Sequence, residues 1–389
     1  MKWSWRMGRV AGIEIHVHAT FPLLFAWITV VMLRGGATTS AIVAMLALIL
    51  AVFALIVVHE TAHALTARRF GITTRDITLL PIGGIARLDR MPREPKQELL
   101  VALAGPAVNV VFAIVLYAVL ALSGGISELR ELAAADNVTI TASTILAELF
   151  AINVSLTVFN LLPAFPLDGG RILRALLAMR SKNYVSATVA AARVGRIFAL
   201  LFGLAGLFVL DSPMLVVIAL FVWLSAASEA SMVETSAALS EVPLASLLIT
   251  DVHTLAPSDA LSVAVDLTVH GFQQDFPVVE NGQLIGMLSR TDLVRGLSQD
   301  GGGGSVLSAM RKTFPSARPD VKPEDAFKVL TTAGTGAVPV VRDGKLLGLL
   351  TMENVMEFLL LQKAVQQKSE GESKKGTRPI PTPRPLPVG

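Results

Sequence analysis

AIVAMLALILAVFALIVVHETAH, residues 41–63, is the stretch that decides the fold. Residues 41–58 are all apolar, and an uncharged run of about 20 residues is long enough to cross the hydrocarbon core of a bilayer. The run ends in His59, Glu60 and His63. Because positions i and i+4 of a helix share one face, both histidines can offer a nitrogen to one metal ion. Glu60 lies beside them and can accept a proton from water.

The position of this motif strengthens the case for a metal site. Ionisable residues at membrane depth cost roughly 2.5–3.5 kcal/mol each on insertion scales, so a His, Glu, His cluster that closes an apolar helix predicts a functional role. The alternative is a helix that ends before His59 and leaves the motif solvated at the membrane surface. The chain has no cysteine, so any further ligand must be His, Asp or Glu.

Composition places the chain among membrane proteins. Of its 389 residues 53% are hydrophobic and 16% are charged, which is too apolar for an ordinary soluble protein. Three further stretches without charge, and two weaker ones flanked or interrupted by arginine, complete a predicted set of about six spans: 99–122, 149–167 and 212–228, then 19–33 and 187–210. The last third has no such run.

Lysine and arginine are distributed unevenly between the predicted loops. They precede span 19–33 and follow spans 41–58 and 149–167, whereas loop 123–142 is poor in them. The residues after these two spans include Arg68, Arg69, Arg171 and Arg174. By the positive-inside rule both termini are predicted to be cytosolic. The net charge of +3 is explained by these flanks. The sequence shows no basic stripe with interleaved aromatic residues, so a nucleic-acid partner is not expected.

A third metal ligand is expected because zinc enzymes use three protein ligands and keep one position open. Asp168 is the only acid in the long stretch from 149, within NLLPAFPLDGGR, residues 160–171. Prolines and glycines break the helix there, and in a membrane the freed backbone groups are tolerated only in a protein-lined or water-filled site. A solvated turn at a helix end is the alternative interpretation. The breaking residues are Pro163, Pro166, Gly169 and Gly170.

HETAH on one membrane helix and NLLPAFPLDGG on a later one resemble the two signature motifs of the site-2 protease family of intramembrane metalloproteases. The resemblance extends to AGPAVN, residues 104–109, and covers roughly residues 10–230. It implies a hydrolase that cuts peptide bonds in or near transmembrane segments of membrane proteins, with one Zn²⁺ per chain. For Gly105 and Pro106, close helix packing and a kink are expected.

The same resemblance implies individual roles for five residues. His59, His63 and Asp168 would bind zinc, Glu60 would be the catalytic base, and Asn160 would steady the oxyanion or the scissile peptide. For Asn160 an interhelical hydrogen bond is the alternative role.

PIGGI, residues 81–85, is too short and too rich in glycine to be another span, and it resembles the family's re-entrant loop. The resemblance implies that Gly83 and Gly84 lie where an unwound substrate segment pairs with a strand edge. An ordinary surface turn is the alternative. His16 and His18, before the first span, are expected to have structural roles.

The last third contains a duplication: residues 277–294 match residues 339–356 at an offset of 62. Each copy predicts a strand, a turn at Asn281-Gly282 or Asp343-Gly344, a second strand and a helix. The region resembles a pair of CBS domains over residues 243–361.

In that family a Ser or Thr, followed three residues later by Asp, holds ribose hydroxyls of adenosine-containing ligands. The matching pairs are Ser289 with Asp292 and Thr351 with Asn354, where Asn354 departs from the usual acid. Two roles stay open for this region, namely adenine-nucleotide binding and a dimerisation platform without ligand.

The predicted architecture is an α-helical polytopic membrane domain followed by a soluble α+β CBS pair. The expected domains are 1–232 (membrane metalloprotease), 243–298 and 306–361 (CBS domains) and 363–389 (disordered Pro-rich tail). The expected location is the cell membrane, with termini and CBS domains cytosolic; the expected partners are lipid, a membrane-protein substrate and a second copy bound through the CBS domains. Rival hypotheses are a CBS-gated transporter, which has no use for a base beside paired histidines, and a proteolytically inactive membrane scaffold.

Overall fold

The computed structural model describes residues 3–81, 83–89, 91–129, 144–240, 242–271, 273–333 and 335–373. The chain divides into two compact units, Met1–Val233 and Glu234–Gly389, and each is described by itself. Most of the loop at 123–142, whose poverty in arginine supported the predicted topology, lies outside the described residues.

The first unit is mainly helical. In chain order its elements are β1 (Ser4–Val10), β2 (Ile13–His18), α1 (Phe21–Arg34), α2 (Thr39–Arg69), β3 (Thr74–Leu80), β4 (Gly83–Leu88), α3 (Pro95–Ser123), α4 (Ile145–Asn160), α5 (Asp168–Ser181), α6 (Tyr184–Phe208) and α7 (Pro213–Ser240).

Fewer of these helices are long enough to cross a membrane than predicted. Among the described residues, four have the required length and apolar composition: α2, α3, α6 and α7. α1 and α4 are apolar but have 14 and 16 residues. The prediction for 149–167 is wrong in extent, because α4 ends at Asn160 where the proline-rich break begins.

A four-stranded sheet, which the sequence did not predict, packs against α2. Its order is β1-β2-β3-β4, with β2 and β3 parallel and the two outer pairs antiparallel. Alternate residues of β2 are buried, and Ile13, Ile15 and Val17 pack in one core with Phe53 of α2. β4 forms one edge of this sheet. The sheet therefore places one of its two edge strands beside the helix that carries the histidine motif.

The two other histidines near the N-terminus lie on β2. His16 Nε2 is 3.3 Å from Glu14 Oε2, and His18 Nδ1 is 2.8 Å from Thr20 Oγ1. Both contacts are local to the sheet and its exit.

The second unit contains two similar halves. Its elements are α8 (Leu261–His270), β5 (Phe276–Glu280), β6 (Gln283–Leu288), α9 (Arg290–Asp300), α10 (Val306–Ala309), α11 (Pro323–Ala333), β7 (Ala337–Arg342), β8 (Lys345–Thr351) and α12 (Met352–Ser373). The predicted hairpins are confirmed, since β5 pairs with β6 and β7 with β8. Asn281 and Asp343 have φ of 51°, each followed by a glycine with positive φ, as the turn requires.

The predicted disordered tail, residues 363–389, overlaps a helix at its start. α12 continues from Met352 to Ser373, because residues 363–373 consist mostly of Gln, Lys, Glu and Ala, which favour helix. Residues 374–389 lie outside the described part of the chain.

Candidate metal centre

The histidine motif lies inside a helix. α2 continues through the motif to Arg69, so the alternative of a helix that ends before His59 is wrong. His59 is 6% exposed and His63 is 4% exposed, with their rings 4.7 Å apart. Two imidazoles are therefore buried together in the C-terminal half of a helix long enough to span a membrane.

The break between α4 and α5 carries Asp168 to the same point. Asp168 is the first residue of α5, and the chain turns sharply before it. A Cβ at Gly169 would lie 2.2 Å from the Leu162 carbonyl oxygen, and one at Gly170 would lie 2.7 Å from the backbone of Ala164. Both positions need glycine because the backbone folds back on itself there.

Three ligand atoms meet in this buried site. His63 Nε2 is 3.1 Å from His59 Nε2 and 3.1 Å from Asp168 Oδ2, and His59 Nε2 is 3.2 Å from Asp168 Oδ2. Tetrahedral zinc with bonds of about 2.0–2.1 Å places its ligand atoms about 3.3 Å apart, so the spacing fits. Among the described residues, this is the group of His, Asp and Glu side chains with metal-ligand spacing.

Hydrogen bonding fixes one of the ligands. His63 Nδ1 lies 2.7 Å from the Val101 carbonyl oxygen, which can only accept, so this nitrogen carries a proton and the neutral ring presents a lone pair at Nε2. That lone pair faces an Asp168 oxygen. In the neutral ring, that lone pair and the carboxylate oxygen are two electron-rich atoms that one cation can bind together, and this arrangement fits a metal at the site.

Helix α3 closes over the two histidines at Gly105. A Cβ there would lie 2.2 Å from His63 Nε2 and 2.6 Å from His59 Nε2. Gly105 therefore has a steric role in the site as well as the expected role in close helix packing. The AGPAVN motif was the signal, because small residues mark the close approach of membrane helices.

The Glu60 side chain of α2 lies against the edge strand β4. A Cβ at Gly84 of β4 would lie 3.2 Å from Glu60 Cγ and 2.8 Å from Ile56 Cγ2. The neighbouring Gly83 has φ of 139°, a conformation that favours glycine, and open space around its Cα. The structure thus brings both predicted loop glycines to the strand beside the predicted base.

Asn160 is the last residue of α4, and seven residues separate it from Asp168 across the break. A different asparagine forms the interhelical hydrogen bond considered for Asn160: Asn153 Nδ2 donates to the Asn109 carbonyl oxygen of α3 at 2.8 Å.

One arginine used to predict topology is not a solvated flank. Arg174 is 1% exposed and pairs with Glu98 and Glu229. Its two ion-pair partners lie far from it in sequence, so no local sequence pattern predicted that Arg174 is buried.

The four residues predicted to contact a nucleotide lie at the starts of helices, and each forms hydrogen bonds or ion pairs with other residues of the chain. Ser289 Oγ donates to Asp292 Oδ2 at 2.5 Å, and Asp292 also pairs with Arg311 at 2.7 Å. In the second copy Thr351 Oγ1 accepts from the Asn354 N–H at 3.2 Å, and Asn354 Nδ2 donates to the Leu247 carbonyl at 2.8 Å. Ser289 and Thr351 cap helices α9 and α12, because their hydroxyl oxygens accept hydrogen bonds from the backbone N–H groups of Asp292 and Asn354.

Comparisons with known proteins agree with this architecture. Residues 47–203 match the family described as peptidase family M50, and residues 244–299 and 304–361 each match the CBS domain. A zinc metalloprotease of Methanocaldococcus jannaschii is 30% identical over 360 residues, which cover 92% of this chain and 97% of that protein.

Two further similarities cover part of the chain. Stage IV sporulation protein FB of Bacillus subtilis is 30% identical over 168 residues, covering 43% of this chain and 48% of that protein. The solved structure of a site-2 protease from Methanocaldococcus jannaschii is 33% identical and covers 59% of this chain and 95% of that chain, with a TM-score of 0.42. The identity and coverage of the Methanocaldococcus jannaschii zinc metalloprotease establish the family. This chain belongs to peptidase family M50, as a zinc metalloprotease of the site-2 type that carries a pair of CBS domains.

Proposed function

We propose that this protein hydrolyses peptide bonds in or near transmembrane segments of other membrane proteins. The observation that carries the proposal is the buried group of His59, His63 and Asp168, with Glu60 beside the histidines on a helix long enough to cross a bilayer. A soluble protease has no need to place its ligands there. The proposed ligands for one Zn²⁺ are His59, His63 and Asp168.

A zinc ion held by these ligands would lower the pKa of a water molecule and polarise a carbonyl group. Glu60 takes a proton from water, whose oxygen then bonds to the carbonyl carbon of the scissile peptide. When the C–N bond breaks, Glu60 returns that proton to the leaving amine. In this proposal Asn160 donates a hydrogen bond to the oxygen of the former carbonyl.

Strand β4 is the proposed docking edge for substrate. It is one of the two outer strands of its sheet, and Gly84 lies against Glu60. A transmembrane helix must unwind before its peptide bond becomes accessible, and an unwound segment can add to β4 by backbone hydrogen bonds. Side chains at Gly83 and Gly84 would obstruct that approach.

The proposed location is the cell membrane, with the N-terminus and the CBS pair in the cytosol. Four span-length helices and the arginine-rich segments at Arg6, Arg9, Arg68 and Arg69 support this orientation. A second copy bound through the CBS domains is a further proposed partner.

The test of proteolysis compares purified wild type with Glu60→Gln on a single-span test substrate. We expect both proteins to bind one zinc per chain and the variant to lose about 10²–10⁴-fold in cleavage rate. Equal cleavage by both, or a wild type that binds no zinc, would support the transporter or scaffold hypothesis.

A second proposal is that adenine nucleotides bind the CBS pair and alter the cleavage rate. Its support is the match of both copies to the CBS domain and the Ser289 and Asp292 pair in the first copy. Because Arg311 already pairs with Asp292, a nucleotide would have to displace it.

We expect AMP, ADP or ATP to change the cleavage rate of wild type but not of Asp292→Ala. If none of them changes the wild-type rate across millimolar concentrations, regulation by nucleotide is excluded and the dimerisation role is favoured.

A further inference from the structure

Arg174 of α5 forms a buried ion cluster that the proposed reaction does not use. Its Nε and Nη2 donate to Glu98 Oε1 of α3 at 2.8 and 2.5 Å, and its Nη1 donates to Glu229 Oε1 of α7 at 2.5 Å. Arg174 and Glu98 are each 1% exposed, whereas the Glu229 side chain is 34% exposed. One guanidinium therefore joins three helices inside the first unit.

Two aromatic rings complete the surroundings of the guanidinium. Its carbon lies 5.0 Å from the ring centroid of Phe165 and 5.0 Å from that of Tyr184, within the range of cation–π attraction. Phe165 is three residues before Asp168 and is itself buried, and Arg174 is six residues after it. Contact between Phe165 and Arg174 thus closes the chain around Asp168 and holds the backbone on both sides of this ligand.

Glu98 links the cluster to the histidine side of the metal centre. It lies one turn before Val101, whose carbonyl accepts the hydrogen bond from His63 Nδ1, and two turns before Gly105, which lies against both imidazoles. The ion pair between Arg174 and Glu98 therefore joins the helix that carries Asp168 to the helix that orients His63.

Stability by itself is a weak reason for such a cluster. Removing two charges from water costs several kcal/mol per ion, and well-packed apolar residues of similar size are often as stabilising or more so. A planar guanidinium with five donors instead fixes relative position, because its carboxylate contacts are directional. His63 and Asp168 are 105 residues apart in sequence, yet their ligand atoms must stay about 3 Å apart. A directional contact between their helices supplies that constraint.

We propose that Arg174 is the positioning residue of the metal centre, which, through Phe165 and Glu98, holds Asp168 at ligand distance from His59 and His63. This inference rests on the proposed metal site. Arg174 itself contacts neither the ligand atoms nor, in this proposal, the substrate.

The experiment uses the full chain in detergent or nanodiscs and compares Arg174→Lys with Arg180→Lys. Lysine keeps the charge but loses the pair of hydrogen bonds from Nε and Nη2 to Glu98 Oε1 and the flat stacking surface. Arg180 is exposed near the end of the same helix, so its replacement is a matched control. Zinc affinity is measured by competition with a chelator, ligand geometry by the visible absorption of the cobalt(II) form, and folding by the thermal midpoint of the metal-free protein.

We expect Arg174→Lys to lose about 10–100-fold in zinc affinity, as is common when a group that orients a ligand is removed, and to show a changed cobalt spectrum. The kcat should fall while KM changes little, and Arg180→Lys should match wild type throughout. A lower thermal midpoint with unchanged zinc affinity and cobalt spectrum would show a purely structural role and overturn the proposal.

If Arg174→Lys does not fold, Glu98→Gln decides the question, because it keeps the size of the Glu98 side chain and removes the charge that holds Arg174. We expect it to weaken zinc binding several-fold and to alter the cobalt spectrum; wild-type affinity and spectrum would overturn the inference. A wild-type protein that bound no zinc in the same titration would instead overturn the metal site on which the inference rests.

Discussion

Replacement of Gly105 by alanine tests the geometry of the metal centre most sharply. The new Cβ would lie 2.2 Å from His63 Nε2 and 2.6 Å from His59 Nε2, whereas real Cβ contacts stay above 3.0 Å, so His63 must move by about 0.8 Å or more. The His63 imidazole cannot rotate away freely, because its Nδ1 donates a hydrogen bond of 2.7 Å to the carbonyl of Val101, which lies on α3 with Gly105. Displacements of about 1 Å in a catalytic constellation typically cost about 100-fold in rate.

The helix itself should tolerate the change. Alanine is favoured over glycine in a helix interior by about 1 kcal/mol, so we expect the metal-free protein to stay folded. We expect Gly105→Ala to lose about 10–100-fold in zinc affinity and at least 100-fold in cleavage rate.

The assays are metal analysis after dialysis at a buffered zinc concentration and cleavage of a single-span test substrate. Gly203→Ala is the matched control, because its Cβ would lie 3.6 Å from Ala219 Cβ, an ordinary van der Waals contact, in another membrane helix. Full zinc content and wild-type cleavage by Gly105→Ala would refute the arrangement of α2 and α3 on which the site is built.

Two other predictions concern the sheet beside the motif helix. Gly84→Val should slow cleavage at least tenfold while zinc is retained, because the added atoms meet Glu60 and obstruct β4; unchanged cleavage would exclude β4 as the docking edge. Burial raises the pKa of Asp76, but hydrogen bonds from Arg87 and Thr78 outweigh it and hold that pKa below its usual range. The charged pair therefore stabilises the fold above the unfolded pKa of about 3.9, and this contribution is lost as pH falls through the folded pKa. Arg87→Met should shift acid unfolding, followed by circular dichroism, to higher pH, and an unshifted transition would contradict this assignment.

Several features of the site were predictable because they depend on residues close together in the chain. The i, i+4 spacing placed His59 and His63 on one face of α2, and the prolines and glycines after Asn160 predicted the break that ends at Asp168. The CBS hairpins followed from the duplication and from the Asn-Gly and Asp-Gly turns.

The four-stranded sheet was harder to predict for a physical reason. Its strands have 6 or 7 residues and come from two parts of the chain separated by α1 and α2, and β2 pairs with β3 in parallel across that gap. The pairing depends on burial against α2, not on any local turn.

The sequence by itself determined the class of the protein, the identity of two histidines and an aspartate as candidate ligands, and the repeated second unit, because composition, helical period and repeat length are properties of the chain. Only the tertiary structure decided that Asp168 lies about 3 Å from both histidines, that Gly105 must be small, and that Arg174 is buried. Arg174 meets its acidic partners 76 and 55 residues away in sequence. Such contacts arise from the packing of separate helices, which no local pattern of residues records.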